Sequence, residues 1–274
     1  MNEQNQEFVV FPEDGFTRRD LMEYYARVAP LMLPHIENRP LVVQRFPDNI
    51  HGECILDKNA AADPAELRRL AGLGCVTPHA ALSSAARPDN PQVMIFDLDP
   101  SADNFIDVAD MAIALRDILA LLGLRAYAMT TGSRGVHVAV PLDGTAGFDM
   151  VRQFAFDIGR GLVDAYPDVA TAYQASSRQG MVFVNTRRIA CTAAAVAPYA
   201  VRALKGAPVA APLTWDELAD AQLHSQRFNL RNMIDRLNRG ADPWKEMWTE
   251  PQSIAGPRKV LDSWIPAEAW RAVA

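Results

Sequence analysis

Val93-Met94-Ile95-Phe96-Asp97-Leu98-Asp99-Pro100 is the stretch on which the fold turns. Four apolar residues in succession read as a strand buried on both faces. Asp97 and Asp99 then leave that strand two residues apart, and on an extended chain such residues point to the same side. Two carboxylates brought that close repel each other unless a cation lies between them. Oxygen-only donors suit Mg²⁺ or Mn²⁺ rather than zinc. The same letters also describe an acidic turn after a strand, with Asp99-Pro100 as a turn starter.

Outward from this strand, elements of two periods alternate. On the C-terminal side, the patterns predict helices over 105–122 and 148–166 and strands over 125–129, 136–140 and 181–184. A further strand is expected over 197–203, and helices over 215–221 and 228–237. On the N-terminal side, Thr17 is placed to cap a helix carrying Leu21, Tyr24, Tyr25, Val28 and Leu31 at helical spacing, with Pro30 expected to end or kink it. Residues 40–47 read as a strand, and Asp63-Pro64 opens a second helix that stops at Gly74. Strands interspersed with helices imply a mixed α/β or α+β protein.

The chain has 274 residues, 49% of them hydrophobic, which supports a sizeable core and excludes disorder. Lys plus Arg number 27 against 33 Asp plus Glu, a net charge of −6. Global charge therefore does not drive wrapping of nucleic acid, although a local basic groove is compatible with it. Cys54, Cys75 and Cys191 are odd in number and form no CxxC pair. A disulfide framework or Cys-rich zinc site is not expected, and a reducing cytoplasm fits. The N-terminus has neither the basic nor the apolar region of a leader, and no stretch has the length of a membrane span. Trp244, Trp248, Trp264 and Trp270 cluster in the tail, either as a packing cap or as a base-stacking platform.

Between two predicted strands lies Thr130-Thr131-Gly132-Ser133-Arg134-Gly135-Val136-His137. Its glycines let a backbone approach an anion, and Arg134 and His137 bring cationic donors suited to phosphate. It is neither GxxxxGK[ST] nor GxGxxG, and a plain hairpin turn has the same composition. His51-x-Glu53 lacks the Pro-Cys-x-x-Cys of a zinc deaminase, and no G-x-S-x-G elbow is present. Two chemistries combine a DxD strand with a phosphate-friendly loop. One is a haloacid-dehalogenase-type phosphatase, for which the later acidic pair is missing. The other is phosphoryl or nucleotidyl transfer at paired metal ions.

Taken in order, DLDP at 97–100, TTGSRGVHVAVPL at 130–142 and AVAPYAVRALKGAPVAAPLTWDEL at 195–218 closely resemble the polymerase domain of bacterial ATP-dependent DNA ligase D, of the archaeo-eukaryotic primase superfamily. The likeness runs from Phe11-Pro12-Glu13-Asp14-Gly15 to Asp242-Pro243-Trp244. It implies an α+β fold with mixed sheets flanked by helices around a central cleft. It implies one polymerase domain over 1–274, with an N-terminal part (1–90), catalytic core motifs (91–205) and a helical, Trp-rich cap (206–274). Only the polymerase module is matched, so a stand-alone form is expected.

The resemblance also implies roles. Asp97 and Asp99 would bind two Mg²⁺ or Mn²⁺ ions. Thr131, Ser133, Arg134, His137, Lys58 and Arg202 would contact the incoming NTP or dNTP, and Arg18 the 5′-phosphate of a DNA end. The activity implied is addition of nucleotides, often ribonucleotides, at DNA ends or gaps in non-homologous end joining. Partners would be DNA, a separate ATP-dependent ligase and an end-binding protein. Three departures stand out. Asn185 takes the place of a third metal-binding carboxylate, offering one acceptor oxygen and no charge. Between Lys58 and Asp63 the chain lacks a segment of roughly thirty residues, longer than an ordinary connection. Phe8 stands where the family has a Lys that helps hold 5′-phosphate. These departures favour an alternative from another class, a degenerate accessory protein that binds nucleotide or DNA ends without catalysis.

Overall fold

A computed structural model of the chain describes residues 6–60, 64–102, 104–172, 180–240 and 242–264. In chain order its elements begin with β1 (Val9–Phe11), β2 (Phe16–Thr17), α1 (Arg18–Ile36), β3 (Leu41–Arg45), β4 (Ile55–Ala60), α2 (Pro64–Gly72) and β5 (Cys75–Ala81). The middle of the chain forms β6 (Val93–Pro100), α3 (Phe105–Leu121), β7 (Tyr127–Thr130), β8 (Val136–Pro141) and α4 (Phe148–Ala165). After these come β9 (Ala170–Thr171), β10 (Val182–Asn185), β11 (Ala194–Val196), β12 (Pro212–Leu213), α5 (Trp215–Leu218), α6 (Met233–Arg239) and α7 (Ala255–Ser263). The strands make a six-stranded mixed sheet in the order β12-β7-β8-β6-β10-β9, a four-stranded antiparallel sheet in the order β11-β5-β3-β4, and the small β1-β2 pair.

The two faces of β6 have different partners. Met94, Phe96 and Leu98 are completely buried on the side that α3 and α4 cover. There α4 comes so close that a side chain at Gly159 would meet Val184 and Thr186. The other face carries Val93, Ile95, Asp97 and Asp99 toward the second sheet. Val93 and Ile95 share a narrow cavity with Ala80, Leu82 and Val196 of that sheet's strands and flanks. Of the residues expected around a central cleft, His137 lines this cavity, whereas Asp97 and Asp99 are not among its lining residues.

Local chemistry accounts for most boundaries. Thr17 and Asp20 form a reciprocal capping box at the start of α1. Pro30 does not end that helix, which runs on through Pro34 to Ile36. Burial of Val28, Ala29, Met32 and Ile36 outweighs the hydrogen bonds the prolines forgo. Segment 197–203 is not a strand: β11 lies just before it, and Tyr199 adopts a left-handed conformation with φ 66°. The helices predicted over 215–221 and 228–237 shrink to Trp215–Leu218 and Met233–Arg239. Trp244 and Trp248 lie in successive turns rather than on a helix and pack inward. Trp244 Nε1 donates to Ala128 O at 2.9 Å and Trp248 Nε1 to His35 Nδ1 at 2.8 Å, as a packing cap requires. Trp270 lies outside the described residues. Among the described residues no helix is long and apolar enough to cross a membrane.

Candidate active site

Three adjacent strands of the large sheet place His137, Asp97 and Asn185 in one row. His137 on β8 is the register partner of Asp97 on β6, and Asn185 on β10 is its partner on the other side. Paired residues of an antiparallel ladder project from the same face. All three side chains therefore project from the same face of the sheet, with Asp99 two residues further along β6. Asn185 therefore stands opposite Asp97, while Asp99 is opposite Phe183.

Asp97 is only 2% exposed. His137 Nε2 lies 3.3 Å from its Oδ1, and Arg188 Nε donates to its Oδ2 at 2.7 Å. Burial pushes the Asp97 carboxyl upward, but the hydrogen bond from His137 and the charge of Arg188 outweigh it and hold the group below the usual carboxylate range. Asp99 moves the opposite way: burial, and then the neighbouring Asp97 charge, raise it. The pair thus carries the repulsion that a bound cation would relieve, and its oxygen donors fit a hard divalent ion. Among the described residues no group of three or more His, Cys, Asp or Glu converges as a cation site. Beside Asp97 on β10 stands the amide of Asn185, which is not one of those residue types.

The glycine loop between β7 and β8 is tied down from within. Thr131 N donates to Gly135 O at 2.9 Å, while Thr131 Oγ1 accepts from Ser133 N at 3.3 Å and from Gly135 N at 3.2 Å. Ser225 Oγ and Gln226 Nε2 brace the loop from outside, at Gly135 O and Ser133 O. Two glycines are required. Gly132 has φ 66°, and a Cβ there would sit 2.7 Å from Val209 C and 2.8 Å from Arg202 Cγ. A Cβ on Gly135 would lie 2.1 Å from Leu98 O and 2.8 Å from Asp99 Oδ1. The loop therefore brings Arg134, exposed, beside Asp99, whose carboxyl it helps to keep charged. Thr131 is buried, with its hydroxyl engaged by the loop itself.

Arg202 reaches the same place from the Ala-Val-Ala-Pro-Tyr segment and donates to Thr131 O. Helix α1 holds that segment: Tyr24 Oη donates to Tyr199 O at 2.8 Å, and Tyr25 Oη accepts from Val201 N at 3.1 Å. Tyr25 also donates to Val76 O, and Tyr199 Oη to Asp242. Burial and then the charge of Arg188 lower Arg202's hold on its proton. His79, lowered to about 4 by burial and then by Arg202, faces the same cluster of cations.

Two of the expected contacts stand apart from this row. Lys58 is exposed on β4, the edge strand of the smaller sheet. Arg18 is buried: it donates to Pro47 O and lies over the Phe8 ring, its guanidinium carbon 4.6 Å from the ring centre. Phe8 therefore covers Arg18 instead of adding a cation beside it.

The sequence model of the LigD primase-polymerase domain matches residues 17–64 and 60–244. The chain belongs to that family. A multifunctional non-homologous end joining protein LigD of Pseudomonas aeruginosa is 31% identical over 278 residues, covering 90% of this chain and 33% of that protein. The protein of the same name from Mycolicibacterium smegmatis is 30% identical, covering 87% of this chain and 35% of its own length. The chain thus spans about a third of the curated relatives it matches. The solved polymerase domain of Mycobacterium tuberculosis ligase D in complex with DNA superposes with a TM-score of 0.84 at 26% identity, covering 92% of this chain and 99% of that one. The fold is therefore α+β of the LigD polymerase type, and the phosphatase alternative is left without support. The two matched pieces overlap over 60–64.

Arg188 was missed as a site residue. Its signal was present in Asn185-Thr186-Arg187-Arg188: the Asn185 side chain accepts from Arg187 N at 3.0 Å, a turn that carries the next residue back to Asp97. The helical spacing of Tyr24 and Tyr25 marks them as apolar-face positions and does not reveal what their hydroxyls bind.

Proposed function

We propose that the chain is a nucleotidyltransferase that extends the 3′ end of DNA at ends or gaps during end joining. The observation that carries this reading is the pairing of Asp97 with His137, with Asp99 two residues on and the charges of Arg134 and Arg202 acting on the same carboxylates. Asp97 and Asp99 would hold divalent metal, Mg²⁺ or Mn²⁺. Bound there, the metal supplies charge that favours ionisation of a 3′-hydroxyl and stabilises a departing pyrophosphate. The side chains do the rest. Arg134, Arg202 and the backbone of the Thr131–Gly135 loop would grip the triphosphate and set its α-phosphorus in line with the hydroxyl. The 3′-oxygen forms a bond to that phosphorus, the bond to the bridging oxygen of the β-phosphate breaks, and the hydroxyl proton passes to solvent. His137 would hold the Asp97 carboxylate in its ionised state and fixed orientation. Lys58 and Arg18 are retained as candidate contacts to nucleotide and 5′-phosphate. Arg18 would serve only if the Phe8 cover shifts. Partners would be gapped or broken DNA, a ligase and an end-binding protein.

A binding-only role is favoured by one observation, the amide of Asn185 in the row. The test is a gapped DNA with a 5′-phosphate, incubated with NTPs or dNTPs and Mn²⁺ or Mg²⁺. Each nucleotide added to the 3′ end should release one pyrophosphate. DNA or nucleotide binding with no pyrophosphate under any metal would transfer the assignment to an accessory factor.

A further inference from the structure

We infer that Arg188 is a resident cation of this site, so that a nucleoside triphosphate binds here with one divalent ion and retains affinity with none. The inference rests on the nucleotidyltransferase reading and concerns how this chain departs from a two-ion site.

Three features converge on it. First, Arg188 Nε occupies Asp97 Oδ2 at 2.7 Å, on an oxygen that a metal would otherwise use, while His137 faces the other oxygen. Second, the row's outer position holds Asn185, whose Oδ1 is already engaged by Arg187 N at 3.0 Å. An amide there contributes no charge of the kind that would justify a second ion. Third, cations outnumber anions in the lining: Arg134, Arg188 and Arg202 face Asp97 and Asp99. Burial and then the neighbouring Arg188 charge disfavour the charge of Arg202, and an anion set between the two guanidinium groups relieves the second of these. A triphosphate is such an anion, and planar guanidinium groups match its oxygens in pairs. Arg188 is reachable for this task, with its side chain 49% exposed although Asp97 beneath it is buried.

The test is equilibrium binding of an α,β-methylene nucleoside triphosphate by calorimetry, in EDTA and in Mn²⁺, with bound Mn²⁺ counted by electron paramagnetic resonance. In EDTA the unaltered protein should bind the analogue, and Arg188→Gln should weaken it roughly tenfold or more, the loss of a charge-assisted pair. Arg188→Lys should recover part of that loss. With analogue present, one Mn²⁺ should bind per chain, rising to two in the Asn185→Asp, Arg188→Gln double variant. Circular dichroism should show all three variants folded, since neither Asn185 nor Arg188 is fully buried. Binding that demands Mn²⁺, or two Mn²⁺ per unaltered chain, would overturn the role of Arg188 and leave the nucleotidyltransferase reading intact. No binding with or without Mn²⁺ would overturn both.

Discussion

Asn185 stands directly opposite Asp97 across the β10–β6 antiparallel pair, its side chain on the same face of the sheet. A carboxylate at this position would share the cleft with two others. The amide serves a local need instead, accepting from Arg187 N to close the turn that brings Arg188 to Asp97. Asn185→Asp keeps that acceptor and adds a charge. It should leave the melting temperature nearly unchanged and raise Mn²⁺ affinity by roughly tenfold, as one more anionic ligand at a hard-cation site does. Mn²⁺ titration followed by paramagnetic resonance reads this, and an unchanged affinity would remove Asn185 from the ligand row.

Tyr25 ties helix α1 to the segment that carries Arg202. Tyr25→Phe removes the hydroxyl that Val201 N donates to, and that also donates to Val76 O. The buried N–H left behind should lower stability by about 1–3 kcal/mol. Urea denaturation measures this, and a loss below about 0.5 kcal/mol would mean that water replaces the hydroxyl.

Gly132 is held at φ 66°, with the Val209 and Ala210 backbone and the Arg202 side chain where a Cβ would lie. Gly132→Ala should cost about 1–3 kcal/mol in strain alone, and more where Val209 must give way. Because Arg202 would be displaced, nucleotide affinity should fall together with the melting temperature. A full-affinity variant would show that Arg202 does not depend on this loop.

Stability should also report the buried histidines. Burial, and then the nearby Arg39 charge, lower His35 from 6.5 to about 3, and His79 is lowered to about 4. In the unfolded chain both take up a proton near pH 6.5, whereas in the fold they stay neutral. Their contribution is therefore complete above pH 6.5 and is lost as pH falls toward 4, by up to about 1.4 kcal/mol per pH unit for each. His35→Gln should flatten this dependence in urea unfolding measured between pH 7 and pH 4.5. An unaltered slope would place the effect elsewhere.

Much of this was legible in the sequence, for physical reasons that differ by element. β6 was clear because a doubly buried strand admits few polar residues, so Asp97 and Asp99 stood out. The motifs at 130–142 and 195–218 were specific enough to indicate the family. What could not be read depended on distant partners. Pro30 sits inside α1 because tertiary burial overrides a local breaker. Segment 197–203 has the composition of a strand but is shaped by the hydrogen bonds that Tyr24, Tyr25 and Asp242 make with it. Arg18 is a DNA contact only by expectation from the resemblance, and the Phe8 ring and Pro47 carbonyl enclose it. Arg188 went unread because its partner lies on another strand.

The most direct measurement of the central claim is primer extension on 5′-phosphorylated gapped DNA with Mn²⁺, run with the unaltered chain, Asp97→Ala and Asn185→Asp. The site described here predicts extension by the unaltered chain, loss by about a hundredfold or more in Asp97→Ala, and faster extension in Asn185→Asp. Extension that survives in Asp97→Ala, or silence from both the unaltered chain and Asn185→Asp, would contradict a nucleotidyltransferase centred on the Asp97–Asp99 pair.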